Sequence, residues 1–440
     1  MVSTQKSFYF IKINSAMIKT EQQSQLLLQQ AKLNSRHSEL LANQTELNTK
    51  YLQQNLVLEH HKIKSEKNFY ISTRLEPKPI KIKDTNLTID EKRLLYISRL
   101  KSAQLCEKMG YPPWNLKSNS AYELCDNPSV SVIITLYNYS EYICECLESV
   151  SQTDISNIPG GIEVLVIDDC STDNSANLVL KYLQKSQLPI CLVSKWFNTG
   201  LADARNVGLK LARSPYVFIL DADNWIYPNC LSVLFENIQS SRYAAVYGEI
   251  QKFDNQTKQE MNRISCYEWD IHKLVKQPYI DAMAMFDKNI LLKLGGYSTE
   301  LIEYGWFGWD DYDLWLKIAQ SNYSCKLIPK VLSCYRVHAG SMINTTNKYA
   351  LNIAKYFCHK FAKLANKYHA SDMLFGFPKS EIYLELNLCS QQTQNNFILQ
   401  ELQSAYAQIA AMESSKFWKL RNQWLKLKKL LGLAKDAEIF

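Results

Sequence analysis

The sequence YVFILDADNW, residues 216–225, ends an apolar run with two carboxylates that are separated by one alanine. A run of β-branched and aromatic residues predicts a strand that is buried on both faces. Because side chains alternate along a strand, Asp221 and Asp223 are expected on the same side of the sheet. A divalent metal with oxygen ligands would relieve the repulsion between them. An ordinary exit from a strand into a turn explains the same residues.

The composition limits the class of protein. The 440 residues allow two or three domains, and 46% hydrophobic and 21% charged residues are typical of a soluble globular protein with a mild net charge of +7. The 12 cysteines are scattered without a Cys-x-x-Cys pair, which argues against a zinc ribbon or a disulfide scaffold. The N-terminus lacks a signal-peptide pattern, and no run approaches the roughly 18 apolar residues of a membrane span. These features predict a cytoplasmic protein with reduced cysteines.

Three regions differ in sequence pattern. Residues 1–125 include a Gln- and Leu-rich stretch, residues 20–67, whose leucines at the heptad interval predict a long helix or weak coiled coil able to self-associate. Residues 126–345 alternate short apolar strands with amphipathic helices and are predicted to form the catalytic domain. Residues 346–440 are predicted to be mainly helical.

The middle region predicts an α/β fold with a mostly parallel central sheet. Strands are expected at 130–135, 164–167, 190–194 and 216–220, with helices between them. Right-handed crossovers bring the C-terminal ends of such strands to one edge, where open α/β sheets bind ligands. The polar residues at that edge are Asn138, Asp168, Asp169, Asp221 and Asp223.

The loop after the first strand excludes two common nucleotide sites. It reads LYNYSEYI, without the glycines that let a dinucleotide pyrophosphate approach the backbone, and the chain contains no Walker A motif. A carboxylate edge repels a diphosphate unless Mg²⁺ or Mn²⁺ bridges the two. The strand ends would therefore hold a diphosphate only together with a divalent metal ion.

Five segments resemble the family 2 glycosyltransferases of the GT-A fold, in the family's order. They read VSVIITLYN, VLVIDDCSTDNS, NTGLADARNVGLKLA, YVFILDADN and GWDDYDLWLK. The resemblance, to inverting transferases of the bacterial polysaccharide type, implies a nucleotide-diphosphate sugar as donor, Mn²⁺ or Mg²⁺ as cofactor and inversion at the anomeric carbon. The residue pattern, in turn, predicts N-terminal and C-terminal helical segments outside the GT-A domain.

The resemblance assigns donor and metal positions residue by residue. Asp221 and Asp223 match the metal-binding Asp-x-Asp motif, with Asp223 as the direct ligand. His338, in YRVHAGSM, matches a position that often reaches metal or diphosphate, although a solvated loop histidine explains it equally well. The remaining positions implied to bind the nucleotide sugar are Thr135, Tyr137, Asn138, Asp168, Asp169 and Arg205.

The segment EYGWFGWDDYDLW supplies the implied base and the acceptor side. Asp311 matches the catalytic base, and Asp310 stands where the family has glutamate and is a second candidate. Acids in the first turn of a helix, favoured by the macrodipole, are the plain alternative. Trp306 and Trp309 are acceptor-side candidates because aromatic rings suit the C–H faces of sugars, whereas Trp315 is assigned to the core.

The C-terminal segment SSKFWKLRNQWLKLKKLLGL, residues 414–433, combines an apolar helical face with basic residues and no acid. It predicts peripheral contact with an anionic membrane or docking on the catalytic domain, and nucleic acid is not expected as a partner. The sequence as a whole predicts a metal-dependent, inverting glycosyltransferase that acts on a glycan or lipid-linked acceptor in polysaccharide or glycoconjugate biosynthesis. An inactive GT-A scaffold and a retaining GT-A transferase are the alternatives.

Overall fold

The computed structural model describes residues 88–239, 241–368 and 372–382. The chain divides into two compact units, residues 1–376 and residues 377–440, and all the elements given below except the last short strand belong to the first. The self-associating helix predicted at 20–67 and the basic helix predicted at 414–433 lie outside the described residues. Within those residues, no helix has the length and apolar character needed to cross a bilayer.

The described elements follow one another in a β/α order. Up to residue 226 they are α1 (Ile89–Lys108), β1 (Trp114–Ser118), α2 (Ser120–Leu124), β2 (Val130–Leu136), α3 (Ile143–Ser151), β3 (Ile162–Asp168), α4 (Ser175–Leu183), β4 (Ile190–Lys195), α5 (Leu201–Leu211), β5 (Tyr216–Asp221) and β6 (Trp225–Ile226). The later ones are α6 (Cys230–Ile238), β7 (Ala245–Asp254), β8 (Glu260–Ile264), α7 (Ile271–Lys276), β9 (Ala284–Asp287), α8 (Lys288–Lys293), α9 (Leu301–Tyr304), α10 (Asp310–Gln320), β10 (Cys325–Val337), α11 (Ile343–Thr346), α12 (Ala350–Lys360), α13 (Ala362–Lys367), β11 (Met373–Leu374) and β12 (Phe377–Pro378).

Within the described part, ten strands form one central sheet. Their order is β1-β4-β3-β2-β5-β9-β7-β10-β6, and β8 pairs with β7. The pairs β2–β3, β3–β4, β2–β5 and β7–β10 are parallel. Strand β9 lies antiparallel to both β5 and β7, so these two strands run in the same direction. The predicted α/β fold with a mostly parallel central sheet is confirmed.

Burial explains why these segments become strands and helices. Strands β2 and β3 are buried along their whole length, as expected for parallel strands that are covered by helices on both faces. Helix α3 buries Ile143, Cys146, Leu147 and Val150, which lie on one face at helical spacing. The resulting core holds the sheet rigid and presents the loops at its edge.

Described segments on both sides of the predicted catalytic region, residues 126–345, pack against it. Strand β1 pairs antiparallel with β4, and α1 packs on α9 through a cluster that includes Tyr96 and Ile302. On the other side, Phe357 of α12 is fully buried. Strand β1 escaped prediction because it is a short edge strand whose last three residues are exposed, so it has no apolar period.

Candidate active site

A cavity of about 1070 Å³ lies where the parallel strands end, beside the N-termini of α5 and α10. Most of the predicted site residues line it. They are Thr135, Tyr137, Asn138, Asp169, Arg205, Asp221, Asp223, Trp306, Trp309, Asp310, Asp311 and His338. The exception is Asp168, which is buried at the end of β3 and accepts a hydrogen bond from the backbone N–H of Ser171, 3.0 Å away. Asp168 therefore shapes the turn instead of contributing to the lining.

Asp169 organises the loop between β4 and α5. Its carboxylate accepts hydrogen bonds from the backbone N–H groups of Thr199 at 3.1 Å and Gly200 at 2.8 Å, and it pairs with Lys195 at 2.7 Å. Burial alone lowers the pKa of Lys195, but the carboxylates of Asp169 and Asp203 outweigh it and leave that pKa above its usual value. The buried lysine therefore stays charged and holds the loop in place.

Gly200 is needed at the start of α5. Its φ of +95° lies in the left-handed region, and a Cβ atom there would come within 1.9 Å of the Phe307 ring. The close approach lets the loop that carries Phe307 pack directly on the start of α5. Two sequence segments implied in donor binding and in catalysis are thus in direct contact.

Asn138 holds two loops together at the rim. It has a φ of +57°, and its side-chain oxygen accepts hydrogen bonds from the backbone N–H groups of Thr172 at 2.7 Å and Asp173 at 3.3 Å. Its amide oxygen is therefore occupied by the protein. The side chain acts on the shape of the cavity rim in this state.

Arg205 connects the end of β5 with the start of α10. It is 2% exposed, donates to Asp221 at 2.9 Å and donates to Asp310 at 2.8 Å. Thr135 also donates to Asp221, at 2.7 Å. Both carboxylates therefore already have protein partners. Thr135 and Arg205 bind Asp221, and Arg205 forms a buried ion pair with Asp310.

Asp223 lies beyond β5 in the following turn, and its partner is His338. The Asp223 Oδ2 and His338 Nε2 atoms are 3.0 Å apart, although the two residues are 115 positions apart in the chain. Burial raises the pKa of Asp223, and the hydrogen bond from His338 opposes that shift. Arg336 fixes the turn by donating to the backbone oxygen of Asp223 at 2.8 Å.

The expected pairing of Asp221 and Asp223 on one strand face is therefore not how the site is built, because the strand ends at Asp221. No group of three or more His, Cys, Asp or Glu side chains among the described residues converges in a way that could hold a metal ion. Asp223 nevertheless supplies a carboxylate oxygen, the kind of ligand that Mn²⁺ and Mg²⁺ prefer, and the His338 ring lies beside it. The chemistry of these two residues would suit a divalent metal that the protein holds together with a bound diphosphate.

Asp311 differs from its neighbour Asp310. It is half-buried in the first turn of α10, where its Oδ1 accepts the backbone N–H of Tyr312 at 2.8 Å. It forms no ion pair with any residue that the structure describes. Burial raises the pKa of Asp311 to about 7, the charges of Asp310 and Asp281 add to the shift, and Arg205 opposes it. A carboxyl group with this pKa can take up a proton near neutral pH.

Trp306 and Trp309 line the cavity, whereas Trp315 lies in the hydrophobic core. Trp306 lines the cavity but is only 7% exposed, and its ring lies 6.0 Å from Tyr96 and 6.1 Å from Tyr349. Trp309 is more exposed and has a φ of +61° immediately before α10. Trp315 is fully buried, in agreement with its assignment to the core.

Tyr96 and Asp281 are among the lining residues that the sequence did not predict. Tyr96 comes from α1, upstream of every motif in the catalytic region, and Asp281 precedes β9. Burial raises the pKa of Asp281 to about 6, opposed by the backbone N–H of Met283. The segment PYIDAMAMFD offers no motif, and Asp281 within it looks like an ordinary turn residue before a strand.

Comparison with known proteins finds a family whose profile covers the strand-end part of the site, whereas Asp310, Asp311 and His338 lie beyond it. The profile described as Glycosyl transferase family 2 matches residues 131–295. The glycosyltransferase GlyG of Streptococcus pneumoniae is 27% identical over 125 residues, which are 28% of this chain and 40% of that protein. An uncharacterized glycosyltransferase of Methanocaldococcus jannaschii is 27% identical over 223 residues, 48% of this chain and 72% of that protein. The chain thus spans less than half the length of the Streptococcus protein.

Among solved structures, Staphylococcus aureus TarS in complex with UDP-GlcNAc has a TM-score of 0.44 and 18% identity over 55% of this chain and 71% of that one. The profile match itself runs from β2 to the end of α8 and includes Asp169, Arg205, Asp221 and Asp223. The resemblance seen in the sequence is confirmed: the chain carries a glycosyl transferase family 2 domain at residues 131–295.

Proposed function

We propose that this protein is an inverting, metal-dependent glycosyltransferase that moves a sugar from a nucleotide-diphosphate sugar to a hydroxyl group of a glycan or lipid-linked acceptor. The family 2 domain supports sugar transfer from a nucleotide sugar. The observation that carries the finer proposal is the carboxyl group of Asp311, which lines the cavity, has no ion-pair partner among the described residues and has a raised pKa. A base in this state is suited to accept the proton of an attacking hydroxyl group.

The donor would bind at the strand ends. Thr135, Tyr137, Asn138, Asp169 and Arg205 stay the predicted donor-side residues, with the buried Lys195–Asp169 pair keeping the loop before α5 in position. Asp223 and His338 would hold a Mn²⁺ or Mg²⁺ ion, whose chemistry is to bind the diphosphate and neutralise the charge that develops when it leaves. Because the carboxylate of Asp221 already binds Thr135 and Arg205, it would act mainly by orienting Arg205.

The transfer is a single displacement. The oxygen of the acceptor hydroxyl attacks the anomeric carbon on the side opposite the diphosphate, and the bond between that carbon and the phosphate oxygen breaks. The electron pair of the broken bond goes to the diphosphate, and the proton of the hydroxyl goes to a carboxylate oxygen of Asp311. One displacement inverts the anomeric carbon, and general-base catalysis contributes typically about 10²–10⁴-fold.

Asp310 is assigned a positioning role. Its ion pair with Arg205, at 2.8 Å, ties the first turn of α10 to the end of β5. That link would hold the neighbouring Asp311 at a constant distance from the donor side. The role of base therefore goes to Asp311.

The wider biological setting stays a prediction from sequence. A role in polysaccharide or glycoconjugate biosynthesis, a cytoplasmic location, peripheral membrane contact through 414–433 and self-association through 20–67 belong to this proposal. Their support is the residue pattern described above.

Thermal unfolding with UDP, GDP and dTDP, each with Mn²⁺ and with EDTA, tests the donor site. A nucleotide at 100 times its Kd should stabilise the protein by about 2.7 kcal/mol. We expect a metal-dependent rise in melting temperature with one nucleotide, and its loss in Asp223→Ala. The absence of any shift would favour an inactive scaffold. The anomeric configuration of the product, read by NMR, would identify a retaining enzyme if it matched the donor.

A further inference from the structure

The carboxylates of the cavity fall into two groups. Those at the strand ends have basic side-chain partners: Asp169 pairs with Lys195, Asp221 and Asp310 pair with Arg205, and Asp223 hydrogen-bonds to the His338 ring. Asp281 and Asp311 line the same cavity and form no ion pair with any described residue. Glu141 also lines the cavity but is exposed at its rim. Asp281 and Asp311 are therefore the inner carboxyl groups of the cavity that lack an ion-pair partner among the described residues.

Both of these carboxyl groups are held in place. The backbone N–H of Asp281 donates to the Ser265 hydroxyl at 3.0 Å, and its Oδ1 accepts the backbone N–H of Met283 at 3.0 Å. Asp311 is held in the same way by the N–H of Tyr312, at 2.8 Å. In the described residues, the second carboxylate oxygen of each has no hydrogen-bond partner. Each side chain thus keeps one oxygen available to a ligand.

The segments that carry the two carboxyl groups are joined. The Tyr312 hydroxyl, next to Asp311, donates to the backbone oxygen of Leu274 at 2.5 Å. Leu274 belongs to α7, and the chain continues from α7 directly through Gln277 and Pro278 to Asp281. The two acids also influence each other, since Asp281 adds to the shift that burial and Asp310 produce in the pKa of Asp311.

The rest of this part of the cavity suits a sugar. Tyr267 and Pro278 line it and are exposed, and Trp309 lines it next to the base. Their apolar surfaces are suited to the C–H faces of a pyranose ring. Arg263 is a cation in the lining, but its guanidinium pairs with Glu249 at 3.0 Å. It therefore does not compensate the charge of Asp281 and Asp311.

We propose that Asp281 is an acceptor-binding residue and that the reacting end of the acceptor is an uncharged sugar with neighbouring hydroxyl groups. One hydroxyl is the nucleophile on Asp311, and the next donates a hydrogen bond to Asp281. Ionised carboxylates are strong acceptors of O–H groups. A phosphate or uronate carboxylate in the same place would meet like charge and be rejected. This inference rests on the proposed function and narrows its acceptor.

The test uses the full chain, Mn²⁺ and the nucleotide sugar that it turns over, with release of the nucleoside diphosphate as the readout. Matched acceptors are the methyl glycosides of glucose and galactose, and of their uronic acids, which differ only in the oxidation of C6. We expect the neutral glycoside of at least one pair to stimulate release at least ten times more than its uronide. Equal stimulation by both, or none by any neutral glycoside in a protein that turns over its donor, would overturn the inference.

Asp281→Asn tests the negative charge of this side chain alone, because asparagine keeps the oxygen that accepts the hydrogen bond from the backbone N–H of Met283. We expect it to raise the KM for the neutral acceptor, leave the KM for the donor unchanged, and reduce the preference for neutral acceptor over uronide at least ten-fold. Glu268→Gln, an exposed acid in the preceding loop that is not in the cavity lining, is the control and should keep the preference. An unchanged preference in Asp281→Asn would contradict the role of Asp281. Failure to turn over any nucleotide sugar would instead contradict the proposed function.

Discussion

Replacing Asp311 by asparagine should stabilise the protein while it removes the activity. Asp311 is half-buried and has no ion-pair partner among the described residues. Burial, together with the charge of Asp310, raises its pKa from the ordinary 3.8 to about 7. The ionised form therefore costs folding free energy, and asparagine has nearly the same shape but does not ionise. Such a gain would mark a residue kept for function at the expense of stability.

The sign and size of the effect follow from the pKa. Because the folded pKa lies above the unfolded one, the favourable contribution of Asp311 is complete only below about pH 4 and is lost as the pH rises to about 7. From pH 5 to pH 7 the loss spans roughly two pH units at about 1.36 kcal/mol each. The stability of Asp311→Asn relative to the wild type should therefore be greater at pH 8 than at pH 5, by about 3 kcal/mol.

Urea unfolding of both proteins at the two pH values measures this difference. The matched control is Asp310→Asn, which weakens the 2.8 Å contact with Arg205. The lost hydrogen bond to a charged group costs about 1.5–3 kcal/mol. Burial also raises the pKa of Asp310, which offsets part of this loss, so Asp310→Asn should be less stable at pH 8 than Asp311→Asn. If the gain from Asp311→Asn is the same at pH 5 and pH 8, Asp311 ionises normally and the reasoning that makes it the base is refuted.

Two further predictions concern the base and the loop before α5. The kcat/KM of the wild type should rise about tenfold per pH unit below pH 7 and level off above it, since the base must be deprotonated; a rate that is flat from pH 5 to pH 8 would exclude Asp311 as the base. Gly200→Ala should destabilise the protein more than Gly161→Ala when both are measured by urea unfolding. Both glycines have a positive φ, so an alanine at either position adds about 1–3 kcal/mol of backbone strain. At Gly200 the added Cβ would also lie 1.9 Å from the Phe307 ring, whereas at Gly161 it would meet no atom within 4 Å. Equal losses would show that the Phe307 contact relaxes without cost.

The α/β fold could be read largely from the sequence because its signals are local. Strands β2, β3 and β5 are continuous apolar runs, and α3 and α10 show apolar residues at helical spacing. The carboxylates at the strand ends follow from the same pattern, since parallel strands must end at a common edge. The motifs also sufficed to recognise the family, whose profile covers residues 131–295. These features depend on neighbours within a few residues of each other.

Only the tertiary structure assigned partners to the acids. In the motif alone Asp310 and Asp311 are equivalent, but Arg205, 105 residues away, pairs with Asp310 and leaves Asp311 without a cation. Asp221 and Asp223 are likewise divided between Arg205 and His338.

Long-range packing also brought residues into the cavity that belong to no sequence motif. Tyr96 reaches it because α1 packs on α9, and Asp281 reaches it because α7 contacts α10. The spacing of apolar residues along the chain predicts which side chains are buried. It does not predict which charged or aromatic side chain from a distant segment they contact. The sequence by itself therefore determined the sheet, the carboxylates at the ends of its strands and the family. The long-range packing decided which carboxylate is free to act and what lies beside it, because ion pairs and burial are properties of neighbours in space.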